Sequence, residues 1–89
     1  MLEIIFTASF MREAKRLTKL NKDLGDEIAE KIELFRNRRN HKKLKVHKLR
    51  GNLAGFWSFS VNYQYRIIFE LRSRNEVIFH DVGDHDVYR

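Results

Sequence analysis

Phe56-Trp-Ser-Phe-Ser-Val-Asn-Tyr-Gln-Tyr-Arg-Ile-Ile-Phe-Glu-Leu71 decides the fold, because its hydrophobic residues recur at every second position rather than every third or fourth. Trp57, Phe59 and Val61 alternate against Ser58 and Ser60, and Tyr63, Tyr65, Ile67, Phe69 and Leu71 alternate against Gln64, Arg66 and Glu70. Successive side chains on a strand point to opposite faces, so each half reads as a half-buried strand with its aromatic side inward. Asn62 lies near the turn between them, and Arg72-Ser-Arg-Asn75 makes a polar turn into a third strand, Glu76 to Val82, which Gly83 ends. Three strands joined by short turns form a β-meander.

Upstream the period changes. Leu2 to Phe6 is short, β-branched and aromatic and reads as a strand, with Thr7 and Ser9 placed to cap a following helix. Phe10, Ala14, Leu17 and Leu20 then share one helical face, with Arg12, Lys15, Arg16 and Lys19 on the other. Asn21 to Asp23 interrupt the pattern, and a second helix is expected from about Leu24 to Arg38, with Leu24, Ile28, Ile32 and Phe35 inward. Its acids, Asp26, Glu27 and Glu30, fall in the first half, where the helix dipole favours them. The expected fold is α+β in the order β-α-α-β-β-β, with a helical hairpin packed on one face of a four-stranded, mainly antiparallel sheet.

The chain has 89 residues, enough for one hydrophobic core, so residues 1–89 are read as a single domain. With no cysteine there is no disulfide framework, thiolate metal site or catalytic thiol. Met1-Leu-Glu-Ile-Ile-Phe6 carries an acid where a signal peptide would carry Lys or Arg, and no apolar run reaches membrane-spanning length. A cytoplasmic protein with no membrane partner is the expectation.

Charge is distributed unevenly. The net charge is +6, and Arg36 to Arg50 holds eight Lys or Arg, two His and no acid, interrupted only by Leu44, Val46 and Leu49 among apolar residues. A patch of one sign is the electrostatic footprint of a polyanion partner, since each cation near a phosphate releases a counterion. A solvated basic loop is the competing reading. Lys42, Lys43, Lys45, Lys48 and Arg50 are the candidate nucleic-acid-binding residues, steering and holding rather than reacting.

Three segments carry a resemblance: His47-Lys-Leu-Arg-Gly-Asn-Leu-Ala-Gly-Phe-Trp-Ser58, Tyr65-Arg-Ile-Ile-Phe69 and Val82-Gly-Asp-His-Asp-Val-Tyr88. Together they resemble the RelE/ParE superfamily of toxins, and within it the branches containing YoeB and YafQ. The resemblance spans nearly the whole chain. It implies the β-α-α-β-β-β fold, messenger-RNA cleavage in the A site of the ribosome, and neutralisation by a cognate antitoxin protein. The partners so implied are the antitoxin, mRNA and the ribosome with its rRNA, and no cofactor.

Cleaving RNA without a metal requires a base for the 2′-hydroxyl proton, a cation for the crowded phosphorus oxyanions, and an acid for the leaving 5′-oxygen. By the resemblance, His47 stands at the base position, Arg66 is the strand arginine that contacts the scissile phosphate, and His85 is the C-terminal acid. Asp84 and Asp86 flank His85 and favour its charged form. Tyr88 is a possible base-stacking or catalytic residue in the same tail. Each has a plainer reading: His47 as one more polar residue of the basic run, His85 as a tail residue, and Arg66 as a partner of Glu70 on a solvated face. His80 reads as a partly buried structural histidine, and Trp57 and Phe59 as core. His80, Asp81, Asp84, His85 and Asp86 have no fixed spacing that defines a metal site. The ParE branch shares the fold yet acts on gyrase, so a gyrase-directed toxin and an inactive binding module are the alternatives to a nuclease.

Overall fold

A computed structural model describes residues 1–84 of the chain. Its elements are β1 (Glu3–Phe6), α1 (Ala8–Leu20), α2 (Lys22–Phe35), β2 (His47–Lys48), β3 (Trp57–Ser60), β4 (Arg66–Leu71) and β5 (Glu76–Gly83), with single 3₁₀ turns at Arg38–Asn40 and Gly51–Leu53. His85 and Tyr88 lie outside the described residues.

Each boundary has a local cause. Thr7 caps α1: its Oγ1 accepts from the Phe10 N–H at 3.1 Å and donates to the Phe79 carbonyl at 2.8 Å, tying the helix start to β5. Asn21 serves both helices. Its N–H donates to the Leu17 carbonyl at 3.0 Å, and its Oδ1 accepts from the Leu24 N–H at 3.2 Å. One extended residue therefore turns the hairpin, and α2 begins at Lys22 instead of Leu24. At the other end α2 stops at Phe35, short of the expected Arg38, because side chains cap its last carbonyls: Asn40 Nδ2 donates to Leu34 and His41 Nε2 to Phe35, both at 2.8 Å.

The sheet runs β1-β5-β4-β3-β2. β1 pairs with β5 in parallel, and the other pairs are antiparallel. The four expected strands are all present, and a fifth, the two-residue β2, adds to the edge of β3. Two residues carry too little periodicity to be read as a strand. The β3–β4 connection is longer than the alternation suggests: Asn62 Oδ1 accepts from the N–H groups of Gln64 and Tyr65, both at 2.8 Å, in a side-chain turn that delays β4 to Arg66. Tyr63 is left at the tip, 92% exposed.

The inward faces of the strands meet the inward faces of the helices. Phe59, Ile67, Phe69, Val77 and Phe79 pack under Phe10, Leu17, Leu24, Ile28 and Phe35. Phe35 is the hub: its ring stacks on Phe59 at 4.5 Å and meets Phe69 and Phe79 edge-on at 4.9 and 5.4 Å. Trp57 is half-buried against this cluster. Leu20, expected inward, sits at the end of α1 and is exposed.

A bulge interrupts the pairing of β4 with β5. Ile68 pairs with Asp81 and Phe69 with Phe79, so His80 is an extra residue in β5. The extra residue resets the alternation, and Val82 returns to the core although it lies an odd number of positions after Phe79.

Candidate active site

The basic run is shaped by its few non-basic members. His41 stacks on Phe35 at 4.5 Å, and Leu44 is buried, so both anchor the loop from beneath while Lys42, Lys43 and Lys45 stay exposed. Lys45 takes a left-handed conformation, φ 60°, the only non-glycine residue described that does so. That bend turns the chain onto the sheet edge. The Ser60 N–H donates to the Leu44 carbonyl at 2.9 Å, and β2 then pairs His47 with Ser58 and Lys48 with Trp57.

Pairing register decides which side chains share a face. His47, Ser58 and Ile68 form one cross-strand row, and Ser60, Arg66 and Gly83 form a second row two residues along. Both rows lie on the face opposite Phe59, Ile67 and the helices. His47 and Arg66 therefore look out from one sheet face, two strands and two residues apart, roughly 12 Å between Cα atoms. Ser58 and Ile68, between them, are buried.

Each of the two side chains is held. His47 is exposed, and its Nδ1 lies 2.7 Å from the Lys45 carbonyl. A carbonyl can only accept, so Nδ1 carries the proton in the neutral ring and Nε2 keeps a free lone pair. This is the tautomer a proton acceptor needs. Arg66 is half-buried, and its Nη1 donates to Ser60 Oγ and to the Asn62 carbonyl. Among the described residues its Nε and Nη2 donate to no protein acceptor, which leaves one edge of the planar guanidinium for a ligand oxygen.

The competing partner for Arg66 is taken elsewhere. Glu70 is four residues along the strand, about 13 Å away at strand rise. Its Oε1 instead meets His80 Nε2 at 2.9 Å. The bulge aims His80 outward over β4, where its ring also meets Phe56 edge-on at 5.3 Å. His80 is thus half-buried in a polar pair on the same face as Arg66. Lys48 alternates to the helix side of the sheet, with Nζ 5.4 Å from the Trp57 ring centroid. Arg50 is exposed just before Gly51, whose φ of 65° opens the following 3₁₀ turn. Arg66 pairs with Gly83, after which only Asp84 is described before the segment carrying His85 and Tyr88.

Ser60, Asn62 and the Glu70–His80 pair were not legible as site residues. Ser60 and Asn62 act by holding Arg66, and only a non-local pairing reveals that. Burial pushes the Asp81 carboxyl up, against a lowering hydrogen bond from the Val82 N–H and with a smaller raising contribution from the nearby Glu13 carboxylate. Asp81 lines a shallow hollow with Glu13 and Arg16 of α1. Among the described residues no three His, Asp or Glu side chains gather as metal ligands, and no helix is long and apolar enough to cross a membrane.

Comparison with known proteins agrees with this architecture. YafQ from E. coli strain BL21(DE3) superposes with a TM-score of 0.79 at 18% identity, over 98% of this chain and 97% of that one. The YoeB–YefM complex from Staphylococcus aureus contains a chain with TM-score 0.72 at 22% identity, covering 96% of this chain and 98% of the other. The Helicobacter pylori protein HP0894 gives 0.71 at 20% identity, covering 97% of each. At such identities the likeness is one of fold. No curated protein sequence matches the chain. Residues 6–85 match the family described as HigB-like toxin, the RelE-like toxin of the type II toxin–antitoxin system HigB. With that match over most of its length and a RelE-type fold, the chain belongs to the RelE-like toxins of type II toxin–antitoxin systems.

Proposed function

We propose that this toxin is a metal-independent endoribonuclease that cleaves mRNA, acting in the ribosomal A site, and that a cognate antitoxin protein restrains it. The observation that carries the reading is the shared outer face of His47 and Arg66, with β5 ending beside Arg66 at Gly83, two residues before His85 in the sequence. Among the proteins of similar fold, YoeB of Staphylococcus aureus forms a toxin–antitoxin complex with YefM, which supports an antitoxin partner here.

In the reaction, His47 Nε2 takes the proton of the 2′-hydroxyl. The 2′-oxygen then forms a bond to phosphorus as the bond from phosphorus to the 5′-oxygen breaks. His85 donates a proton to that leaving oxygen, and the products are a 2′,3′-cyclic phosphate and a 5′-hydroxyl. The free edge of the Arg66 guanidinium stabilises the charge on the non-bridging oxygens, and Tyr88 stacks on a neighbouring base. Lys42, Lys43, Lys45 and Arg50 draw in the polyanion, which makes binding fall steeply with salt. Lys48 contributes charge at the sheet edge from above Trp57.

The test is tightly controlled expression of the chain beside His47→Ala, Arg66→Ala and His85→Ala, with transcripts mapped for new ends. Removing one aimed donor of this kind costs about 10²–10³ in rate. Cleavage that vanishes in the variants, with their melting temperatures unchanged, is the expected outcome. Intact transcripts accompanied by gyrase-dependent DNA breaks would overturn the nuclease assignment.

A further inference from the structure

The outer face of the sheet carries a second polar group, made by Phe56, Glu70 and His80. Trp57 and Phe69 pair across β3 and β4 with their rings on the helix side, so Phe56 and Glu70, one step away on each strand, turn outward. The bulge in β5 sets His80 beside them. Its Nε2 lies 2.9 Å from Glu70 Oε1, and because a carboxylate only accepts, Nε2 carries the proton and holds the acid in place. The rings of His80 and Phe56 stand at 79° to each other with centroids 5.3 Å apart, two walls of a corner that Glu70 borders.

The corner is open, and its acid has an oxygen to spare. The Glu70 side chain is 44% exposed and that of His80 34%. Among the described residues no Lys or Arg is paired with Glu70, and its Oε2 has no hydrogen-bond partner. Arg66 offers its free edge to a phosphate on this same face, where an acid repels the phosphate backbone. What a carboxylate attracts in a single-stranded nucleic acid is a base edge that donates. Guanine presents two parallel donors, N1–H and the 2-amino group, which match the two oxygens of a carboxylate as a guanidinium does. Oε1 has a second lone pair for this after accepting from His80. Adenine and cytosine each present one amino group beside a ring acceptor that the carboxylate repels, and uracil a single N–H between two carbonyls. The aromatic walls add the stacking surface that a base uses and a lone cation does not require.

We propose that Phe56, Glu70 and His80 form a base-specificity site that selects guanine among the nucleotides flanking the scissile phosphate. Glu70 accepts from N1–H and the 2-amino group, Phe56 stacks on the ring, and His80 is a positioning residue that fixes Glu70. Glu70 is four residues from Arg66 on the same strand, about 13 Å at strand rise, which sets the base reader near the phosphate site without placing the acid against it. The identification of the ligand rests on the reading of the chain as an RNA-cleaving toxin. Its consequence is that where the cut falls and whether it occurs are separable by mutation.

The test uses the full-length chain and uridine-rich RNA oligonucleotides, blocked against cleavage by 2′-O-methyl groups, that differ at one position: guanosine, inosine or adenosine. Fluorescence anisotropy reads the affinities. Guanosine should bind about 10–100-fold more tightly than adenosine, with inosine, which lacks the 2-amino group, in between. Glu70→Gln should bring guanosine and adenosine to the same affinity with its melting temperature unchanged, and His80→Asn should reduce the preference in part. Phe56→Leu should weaken all three about 10-fold and keep their order. In mapped transcript ends, guanine should be enriched at one fixed offset from the cut by the parent chain, and Glu70→Gln should lose that enrichment. Equal affinity of the parent chain for the three bases, a preference that survives Glu70→Gln, or a Glu70→Gln defect confined to complex formation with a protein partner would each overturn the proposal. If the chain discriminates bases in this way yet cleaves no transcript, the nuclease assignment falls and this one stands; if it cleaves transcripts with no guanine preference, the reverse holds.

Discussion

Gly25→Ala sets helix propensity against packing, and the structure says which wins. Within α2, alanine is favoured over glycine by up to about 1 kcal/mol. An added Cβ, however, would stand 2.5 Å from Thr18 Cγ2, 2.6 Å from its Oγ1 and 2.9 Å from its Cβ. Thr18 cannot swing aside freely, because its hydroxyl donates to the Ala14 carbonyl at 2.7 Å. Overpacking of this kind costs about 1–3 kcal/mol, so with the full propensity gain subtracted a net loss of up to about 2 kcal/mol remains. For a domain of this size that lowers Tm by up to roughly 15 °C. Thr18→Ala removes two of the three contacts, and the double variant should recover at least about 1 kcal/mol relative to the sum of the single changes. Thermal melts and urea titrations of the four proteins form the cycle. If Gly25→Ala raises Tm, or if the two changes are additive within about 0.5 kcal/mol, the close apposition of α1 and α2 at this point is refuted.

The core and the titration of one carboxylate give two more expected outcomes. Phe35→Ala, at a fully buried ring that touches Phe59, Phe69, Phe79 and His41, should cost about 3–5 kcal/mol in urea unfolding, while Phe35→Leu should cost distinctly less; equal losses would remove Phe35 from the centre of packing. Burial raises the Asp81 carboxyl above its ordinary 3.8, so the folded state holds that proton more tightly than the unfolded one, and the stability it contributes below 3.8 is lost as pH rises through the raised value. Asp81→Asn keeps the acceptor for the Val82 N–H and removes the buried charge, so it should melt higher than the parent at pH 7, with the difference shrinking as pH falls toward 3.8; a difference that does not change with pH would contradict this.

Much of the fold was legible residue by residue. The alternation through Trp57 to Leu71 named the buried side of β3 and β4, and Phe59, Ile67 and Phe69 are buried as read. The helical stripe of Leu24, Ile28, Ile32 and Phe35 is likewise in the core. Boundaries moved where side chains cap or turn the backbone: Asn21 starts α2 early, Asn40 and His41 end it, and Asn62 delays β4. Such bonds are made by single polar residues whose geometry no hydrophobic period encodes.

The candidate site divides along the same line. By itself the sequence determined the fold class, the basic run and the residue types suited to RNA chemistry, because those depend on local period and composition. Which of them meet was decided by tertiary structure alone. β2 is two residues long and exists only because β3 lies beside it, yet its register is what sets His47 on the face of Arg66 and sends Lys48 to the other. The bulge at His80 gives Glu70 a partner that is not Arg66, leaving the guanidinium to Ser60, Asn62 and whatever binds its open edge. Strand pairing joins residues distant in sequence, and a shift of one position would turn every side chain to the opposite face.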